Sequence, residues 1–368
     1  MKKAIIFYPH IGEYGGIERN IIALASEIIR NGHIPVLVCF YDHINMPGYL
    51  DQLITVEIKD HWNPLVKSLR LKRWLKQNKN ELLGLPFFMG GKAGFYGAFF
   101  NNNYILHYTD PPSLLSPSVP KSALKNWIAT LRSHISNFIT FNGVSRAKVC
   151  LTMTNWNTKE LESLYRRKFG VIYQGGLPPT RSINQSPRFN GKILRIFSIS
   201  RLNTSKNLDW ILETAQYLVK NSKIGFEDVE VVIAGNGPQM NYLQTLSKEM
   251  GLEKNVSFPG FLTTEQVEDQ YSKCDLFLVP ARQGYGLPVL EALYRHVPVV
   301  INVESHISEM FTNNPWVLIS DNTVDDFRNK VLNHIFKIKE QYPDNSYIKN
   351  LPTEQDWAFQ IGQQCNWW

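Results

Sequence analysis

Residues 3–40, KAIIFYPHIGEYGGIERNIIALASEIIRNGHIPVLVCF, read as strand, glycine-bearing loop, helix and strand in succession. KAIIFY is an apolar run of strand length, after which Ile17, Ile21, Leu24 and Ile28 recur at helical spacing. Gly32 stops the helix, and HIPVLVCF (33–40) is a second apolar run. Two buried strands joined through a helix form a right-handed strand–helix–strand unit of a parallel sheet, so the fold class is α/β.

The same alternation continues outward. Apolar strands are expected at Leu85–Met89, Tyr104–Leu106, Val149–Thr152 and Val171–Tyr173. In the second half, strands at Arg195–Ser200, Glu230–Ala234, Val256–Phe258, Leu276–Val279 and Val299–Ile301 alternate with helices near 207–221, 238–250, 264–273 and 287–295. Between the halves, LPPTRSINQSPRFNG (177–191) is rich in turn formers and has little to bury, which marks a linker. Two parallel-sheet lobes are therefore expected, at 1–180 and 190–345.

With 368 residues, 43% of them hydrophobic and 19% charged, the chain has the composition of a folded protein rather than a disordered or collagenous one. No window holds the roughly 18 uninterrupted apolar residues of a spanning helix, and the apolar start meets Tyr8-Pro9-His10 too soon for a signal peptide. A cytoplasmic protein is expected. Cys39, Cys150, Cys274 and Cys365 lie far apart without metal-ligand or redox spacing and read as reduced core thiols. The net charge of +7 is uneven, because residues 1–180 hold 21 of the 39 Lys+Arg and 11 of the 32 Asp+Glu. Nucleic acid, an anionic membrane or a phosphorylated substrate each fits a basic first half.

Three loops carry candidate chemistry. Gly12 to Arg19 places Gly15 and Gly16 where strand gives way to helix, as an anion-binding turn or merely a tight one, and it lacks GxGxxG spacing. Ser200 to Asn207 (SRLNTSKN) brings Arg201 and Lys206 to a helix start, where two cations are unfavourable unless an anion compensates them. Arg offers a planar fork and Lys a mobile point charge, which together suit a diphosphate. Pro280 to Ala292 (PARQGYGLPVLEA) is a glycine-rich turn into a helix that carries Glu291, suited to a ribose diol or simply to the helix dipole.

In order and spacing, SISRLNTSKN, VVIAGNGPQ, VSFPGF and LVPARQGYGLPVLEAL, with PVV after them, resemble the retaining glycosyltransferases of family 4. YPHIGEYGGIER looks like their first loop, so the resemblance spans essentially the whole chain. It implies the GT-B fold, with two Rossmann-like lobes facing across a cleft and a C-terminal helix, about 352–368, crossing back to the first lobe. It also implies an acceptor-binding first lobe, a donor-binding second lobe and transfer of a hexosyl type from a nucleotide-diphosphate sugar. By this resemblance Arg201 and Lys206 neutralise the donor diphosphate, and Glu291 holds the nucleotide ribose. Gly284, Tyr285, Gly286 and Leu287 meet the donor sugar and phosphates, Gly260 and Phe261 lodge the base, and Gly15 and Gly16 close over the reaction centre. His107 falls where the family has its active-site histidine, although a lone histidine at a strand end is more often structural. Trp357 resembles the start of the returning helix.

The sequence departs from the family at three places. Gln283 stands where the first acid of E-x7-E is expected, Tyr294-Arg295-His296 replaces a small residue and glycine, and Ser305-His306-Ile307-Ser308-Glu309 lacks a glycine pair. Gln283 still bonds a sugar hydroxyl but brings no negative charge to an oxocarbenium-like transition state. There is no Asp-x-Asp, and metal-independent transfer without a cofactor is expected.

For the acceptor, Leu65–Asn80 and Lys121–Thr140 mix Leu71, Trp74, Leu75, Trp127, Ile128, Leu131 and Ile135 with cations. Helices of that kind suit an anionic membrane surface or a packed, solvated role. A glycan or lipid-linked glycan acceptor in a bacterial surface-polysaccharide pathway is expected, with peripheral membrane contact. Nucleic acid is not expected, because no recognition motif accompanies the charge. The alternative is a non-catalytic sugar-nucleotide-binding or partner subunit of the same fold.

Overall fold

The computed structural model describes residues 2–12, 15–100, 103–109, 123–180, 188–189, 191–221 and 225–368, with side chains omitted at 123–131. The chain divides into two compact units, one running to Gly175 and taking back Pro352–Trp368, the other Gly176–Leu351.

In the first unit the elements are β1 (Lys3–Phe7), β2 (His10–Ile11), α1 (Gly16–Arg30), β3 (Ile34–Cys39), β4 (Tyr41–Asp42), β5 (Ile54–Glu57), α2 (Pro64–Gln77), β6 (Phe87–Met89), α3 (Ala93–Gly97), β7 (Ile105–Tyr108), α4 (Ala123–Arg146), β8 (Val149–Thr152), α5 (Asn155–Tyr165) and β9 (Gly170–Val171). The parallel sheet runs β5-β3-β1-β6-β7-β8-β9, and β2 pairs with β4 beyond its edge. Alternate residues of β1 feed two cores, which is why the strand reads as an unbroken apolar run. Ala4 and Ile6 join Ile21, Leu24 and Ile28 of α1, while Ile5 and Phe7 join Leu71 and Leu75 of α2. Leu71 and Leu75 are thus core residues, and α2 leaves Leu65 and Leu69 exposed instead.

The second unit holds β10 (Ile193–Ile199), α6 (Asp209–Lys220), β11 (Asp228–Ala234), α7 (Met240–Glu249), β12 (Val256–Gly260), α8 (Thr264–Lys273), β13 (Leu276–Val279), α9 (Leu287–Tyr294), β14 (Val299–Asn302), β15 (Val317–Ser320) and α10 (Val324–Glu340). Its parallel sheet is ordered β12-β11-β10-β13-β14-β15. Both units are α/β with Rossmann-like sheets, as the alternation predicts. Strands β5 and β15 were not expected from the sequence. Both lie at a sheet edge, and β5 carries no buried residue, so it lacks the apolar run that marks a central strand.

The final helix, α11 (Glu354–Gln364), packs in the first unit beside α1, as the returning helix was expected to do. Arg19 of α1 bonds Glu354 at 2.6 Å, and Trp357 is fully buried. Gly175 passes so close to Thr353 that a Cβ there would lie 1.9 Å from its carbonyl carbon.

Within the expected linker, residues 181–187 and 190 lie outside the described residues. Arg188 and Phe189 depart from the expectation of little burial. Arg188 donates to the carbonyls of Ser272 and Cys274 at 3.0 and 2.7 Å, and Phe189 is buried in the second core. The four cysteines are free and buried. Among the described residues no helix is long and apolar enough to cross a membrane.

Candidate functional site

In the second sheet the strand order reverses between β10 and β13, and the loops leaving their carboxyl ends diverge there. A crevice at such a switch point is where ligands of open α/β sheets bind. The loop after β10 is 200–208 and the loop after β13 is 280–286, the two stretches that the motif reading singled out. They are tied together, since Arg282 N donates to Ser205 O at 2.7 Å and Asn207 Nδ2 to Pro280 O at 3.0 Å.

The side chains at this junction form a chain. Lys206 Nζ donates to Gln283 Oε1, Gln283 Nε2 donates to Ser305 Oγ at 2.9 Å, and Ser305 Oγ donates to Tyr285 O at 3.0 Å. Because the serine proton is committed to a carbonyl, its oxygen accepts from the amide nitrogen, and the amide oxygen is held toward Lys206. The backbone fixes Gln283 as well, through Gln283 N to Glu304 O and His306 N to Gln283 O. A neutral amide orients the ammonium without adding a negative charge beside it. Gly286 makes room for this arrangement. Its φ is +143°, and a Cβ there would lie 2.5 Å from Gln283 Nε2. Leu287 then opens α9 with no side-chain cap; Pro288 has no N–H and Val289 N donates to Gly286 O at 3.0 Å, which leaves Leu287 as the amide of this helix start that can meet a ligand.

Arg201 is exposed on a backbone held from the neighbouring loop. Leu202 N donates to Asn236 O at 2.9 Å, and Gly235, with φ +119°, comes so near that a Cβ would lie 1.9 Å from Ser200 O. This close approach is the physical role of the glycines in VVIAGNGPQ. Gly260 ends β12 and accepts from Gly235 N at 2.7 Å, with Phe261 71% exposed beside it. Tyr285 is buried, its hydroxyl 3.7 Å from Met310 Sδ. Glu291 lies buried one turn into α9, where a Cβ on Gly176 would be 3.1 Å from its Cγ.

The second sheet's carboxyl edge therefore carries Arg201, Lys206, Gln283, the loop Gly284–Leu287, Gly260 and Phe261. Ser305, named from the sequence only as a departure, proves to orient Gln283. A polar residue just past an apolar strand was the available signal.

The first-unit candidates are placed differently. Gly15 is the extended N-cap of α1, φ −158°, so no left-handed turn is needed there, and Gly16 is the first helical residue. Residues 13 and 14 of that loop lie outside the described residues. His107 does not end its strand, because β7 continues to Tyr108. The pleat turns the imidazole inward, fully buried between Phe87 and Trp357 at ring distances of 5.6 and 5.9 Å. Neither ring nitrogen has a hydrogen-bond partner, and burial lowers its pKa to about 3. The ring touches no solvent, so among the described residues it is packed as a core side chain and is not exposed at the sheet edge.

Against known proteins, the family described as glycosyl transferases group 1 matches residues 180–342. A glycosyltransferase named for colanic acid biosynthesis, WcaL of Salmonella typhimurium, is 32% identical over 147 residues, 38% of this chain and 35% of that protein. The chain spans about a third of the length of the first curated relatives it matches, at 35%, 31% and 35%. The crystal structure of a glycosyltransferase from Rickettsia africae superposes with a TM-score of 0.73 at 15% identity, covering 99% of this chain and 97% of that one. Anabaena HepE in complex with UDP and glucose gives 0.71 at 16% identity, with 99% of each chain covered. The fold is that of GT-B glycosyltransferases, and residues 180–342 match the glycosyl transferases group 1 family.

Proposed function

We propose that the chain is a glycosyltransferase of the hexosyl type that moves a sugar from a nucleotide-diphosphate sugar to a glycan or lipid-linked glycan in surface-polysaccharide assembly. The observation that carries this reading is the junction of Arg201, Lys206 and Gln283 at the switch point of the second sheet, which brings two cations to the carboxyl edge. In this scheme Arg201, Lys206 and the Leu287 amide at the start of α9 hold the diphosphate, Glu291 the ribose, and Gly260 with Phe261 the base. The resemblance to WcaL supports the pathway, and the resemblance to HepE with UDP supports a nucleotide ligand. Transfer proceeds with retention, the departing phosphate taking the acceptor proton, and the two cations stand in for a metal.

Thermal stabilisation by UDP, GDP, dTDP, ADP and CDP, with EDTA throughout, tests the donor site. One base at about 100 times its dissociation constant adds about 2.7 kcal/mol of stability. No shift with any nucleotide overturns the reading.

The second reading, a non-catalytic sugar-nucleotide-binding subunit, draws on Gln283, whose amide brings no negative charge to the transition state. It predicts a nucleotide shift without turnover.

Membrane contact is carried by α4, on which Ile135, Phe138 and Phe141 are 52%, 70% and 39% exposed. The stretch from 111 to 159 contains no acid. The side chains of Trp127, Ile128 and Leu131 lie outside those described. Sedimentation with phosphatidylglycerol vesicles at low salt is expected to bring the protein down and Phe138→Ser to weaken it, the binding fading as salt screens the cations. Protein left in the supernatant at low salt removes this part of the proposal.

A further inference from the structure

The first sheet has a switch point of its own, between β1 and β6, and the side chains gathered there have no role in the donor scheme above. His10 follows β1, Lys92 follows β6, and the loop after β5 carries Asp60, His61 and Trp62. Lys67, in the first turn of α2, joins them. Its ammonium lies 3.2 Å from His10 Nε2, bonds Asp60 Oδ1, and sits 5.0 Å from the centre of the Phe40 ring. Only 10% of the Lys67 side chain is exposed, against 45% for Asp60.

Hydrogen bonds build the loop in advance. Arg70 Nη1 donates to the carbonyls of Lys59 and Asp60 at 2.6 and 2.8 Å, and His61 N donates to Asp60 Oδ1 at 2.7 Å. Asn63 N donates to His61 Nδ1 at 2.9 Å, while Asn63 caps α2 through Leu65 N. On this fastened loop Trp62 is 87% exposed, its indole stacked only on His61 among the recorded ring contacts, at 5.5 Å. A large aromatic held in water on a rigid loop marks a contact surface.

The charges define what fits. Lys67 donates to His10 Nε2, so the histidine proton resides on Nδ1, a second donor. Burial, with the nearby charges of Lys67 and Lys92, lowers the His10 pKa against the opposing pull of Asp60 and keeps the ring neutral. A largely buried ammonium requires a counter-charge, and Asp60 supplies it from the solvent side. Lys92 lies near enough for its charge to act on His10.

We propose that His10, Lys67 and Lys92, with Trp62 at the rim, form a subsite at the carboxyl edge of the first sheet for the phosphate or carboxylate of a sugar-containing molecule. The anion engages the ammonium of Lys67, and the apolar face of the sugar ring stacks on Trp62. As an acceptor site this rests on the transferase reading; as an anion site it does not.

The test uses the full chain carrying Arg201→Ala and Lys206→Ala, so that the donor cations contribute nothing, and titrates inorganic phosphate, glucose 1-phosphate, glucuronic acid and glucose by calorimetry. Glucose 1-phosphate and glucuronic acid are expected to bind, the former several-fold more tightly than phosphate, and glucose not to bind. Lys67→Met weakens binding by about tenfold or more, the loss of a charged hydrogen bond. Asp60→Asn, which keeps the acceptor for His61 N, tightens it several-fold by removing the competing carboxylate. Trp62→Ala abolishes the advantage of glucose 1-phosphate over phosphate. Unchanged or weaker binding in Asp60→Asn overturns the subsite, as does unchanged binding in Lys67→Met. A Trp62→Ala effect confined to phosphatidylglycerol vesicles, with sugar-phosphate affinity intact, overturns the sugar assignment. A missing nucleotide shift in the native chain counts against the donor site alone and leaves these titrations unaffected.

Discussion

Replacing Arg201 or Lys206 with alanine is expected to lower sugar transfer by a factor of about 10² to 10³ each, the scale seen when one preorganised donor to a developing negative charge is removed. Both residues stand on loops fixed by backbone bonds, Leu202 N to Asn236 O and Arg282 N to Ser205 O, so the loss falls on the reacting diphosphate rather than on the fold. The measurement is kcat with a sugar nucleotide identified by the stabilisation panel, alongside the melting temperature. Near-normal turnover in both variants would be incompatible with the donor site placed here. A fall in turnover together with a large fall in melting temperature would assign the residues to structure instead.

The largest effect on stability is expected at Arg295. Its guanidinium and Glu268 are 8% and 9% exposed, with Arg295 Nε 3.0 Å from Glu268 Oε2. Nη1 donates to Glu291 O at 2.9 Å and Leu177 O at 3.2 Å, and the group lies 5.1 Å from the centre of the Tyr271 ring. Arg295 thereby ties α8, α9 and the start of the second unit to one another. Arg295→Ala strands a buried carboxylate and costs about 3 to 5 kcal/mol. For a unit of this size that corresponds to a melting temperature lower by roughly 6 to 20 °C. Calorimetry of Arg295→Ala beside the double replacement Arg295→Leu with Glu268→Leu separates the causes. The double variant recovers most of the loss, because two apolar groups leave no charge unpaired. If the single variant melts within about 2 °C of the native chain, a cost of that size is excluded.

Arg295 also shows where sequence reading stopped. Tyr294-Arg295-His296 was legible only as a departure from a small residue and glycine. Its meaning depends on Glu268, 27 positions earlier, and on Leu177, 118 positions earlier, which no local pattern connects. Neighbouring His296 adopts φ +55°, a left-handed conformation that favours glycine, and its ring packs 5.7 Å from Trp316. His107 lies deeper than its motif suggests. Its motif placed it at a strand end, but one further strand residue and the pleat decide whether an imidazole meets ligand or core.

The amino-acid sequence by itself determined the fold class, the central strands, most of the helices and the second-unit loops that face the candidate donor site. Those features are written in periodicities of two to four residues and in glycines at strand ends, which act over short stretches of chain. Only the tertiary structure decided that Gln283 is oriented by Ser305, that Lys67 bonds both His10 and Asp60, and that Arg295 is paired with Glu268. Each of these is a contact between residues far apart in sequence, fixed by how sheets order their strands rather than by any pattern within one element.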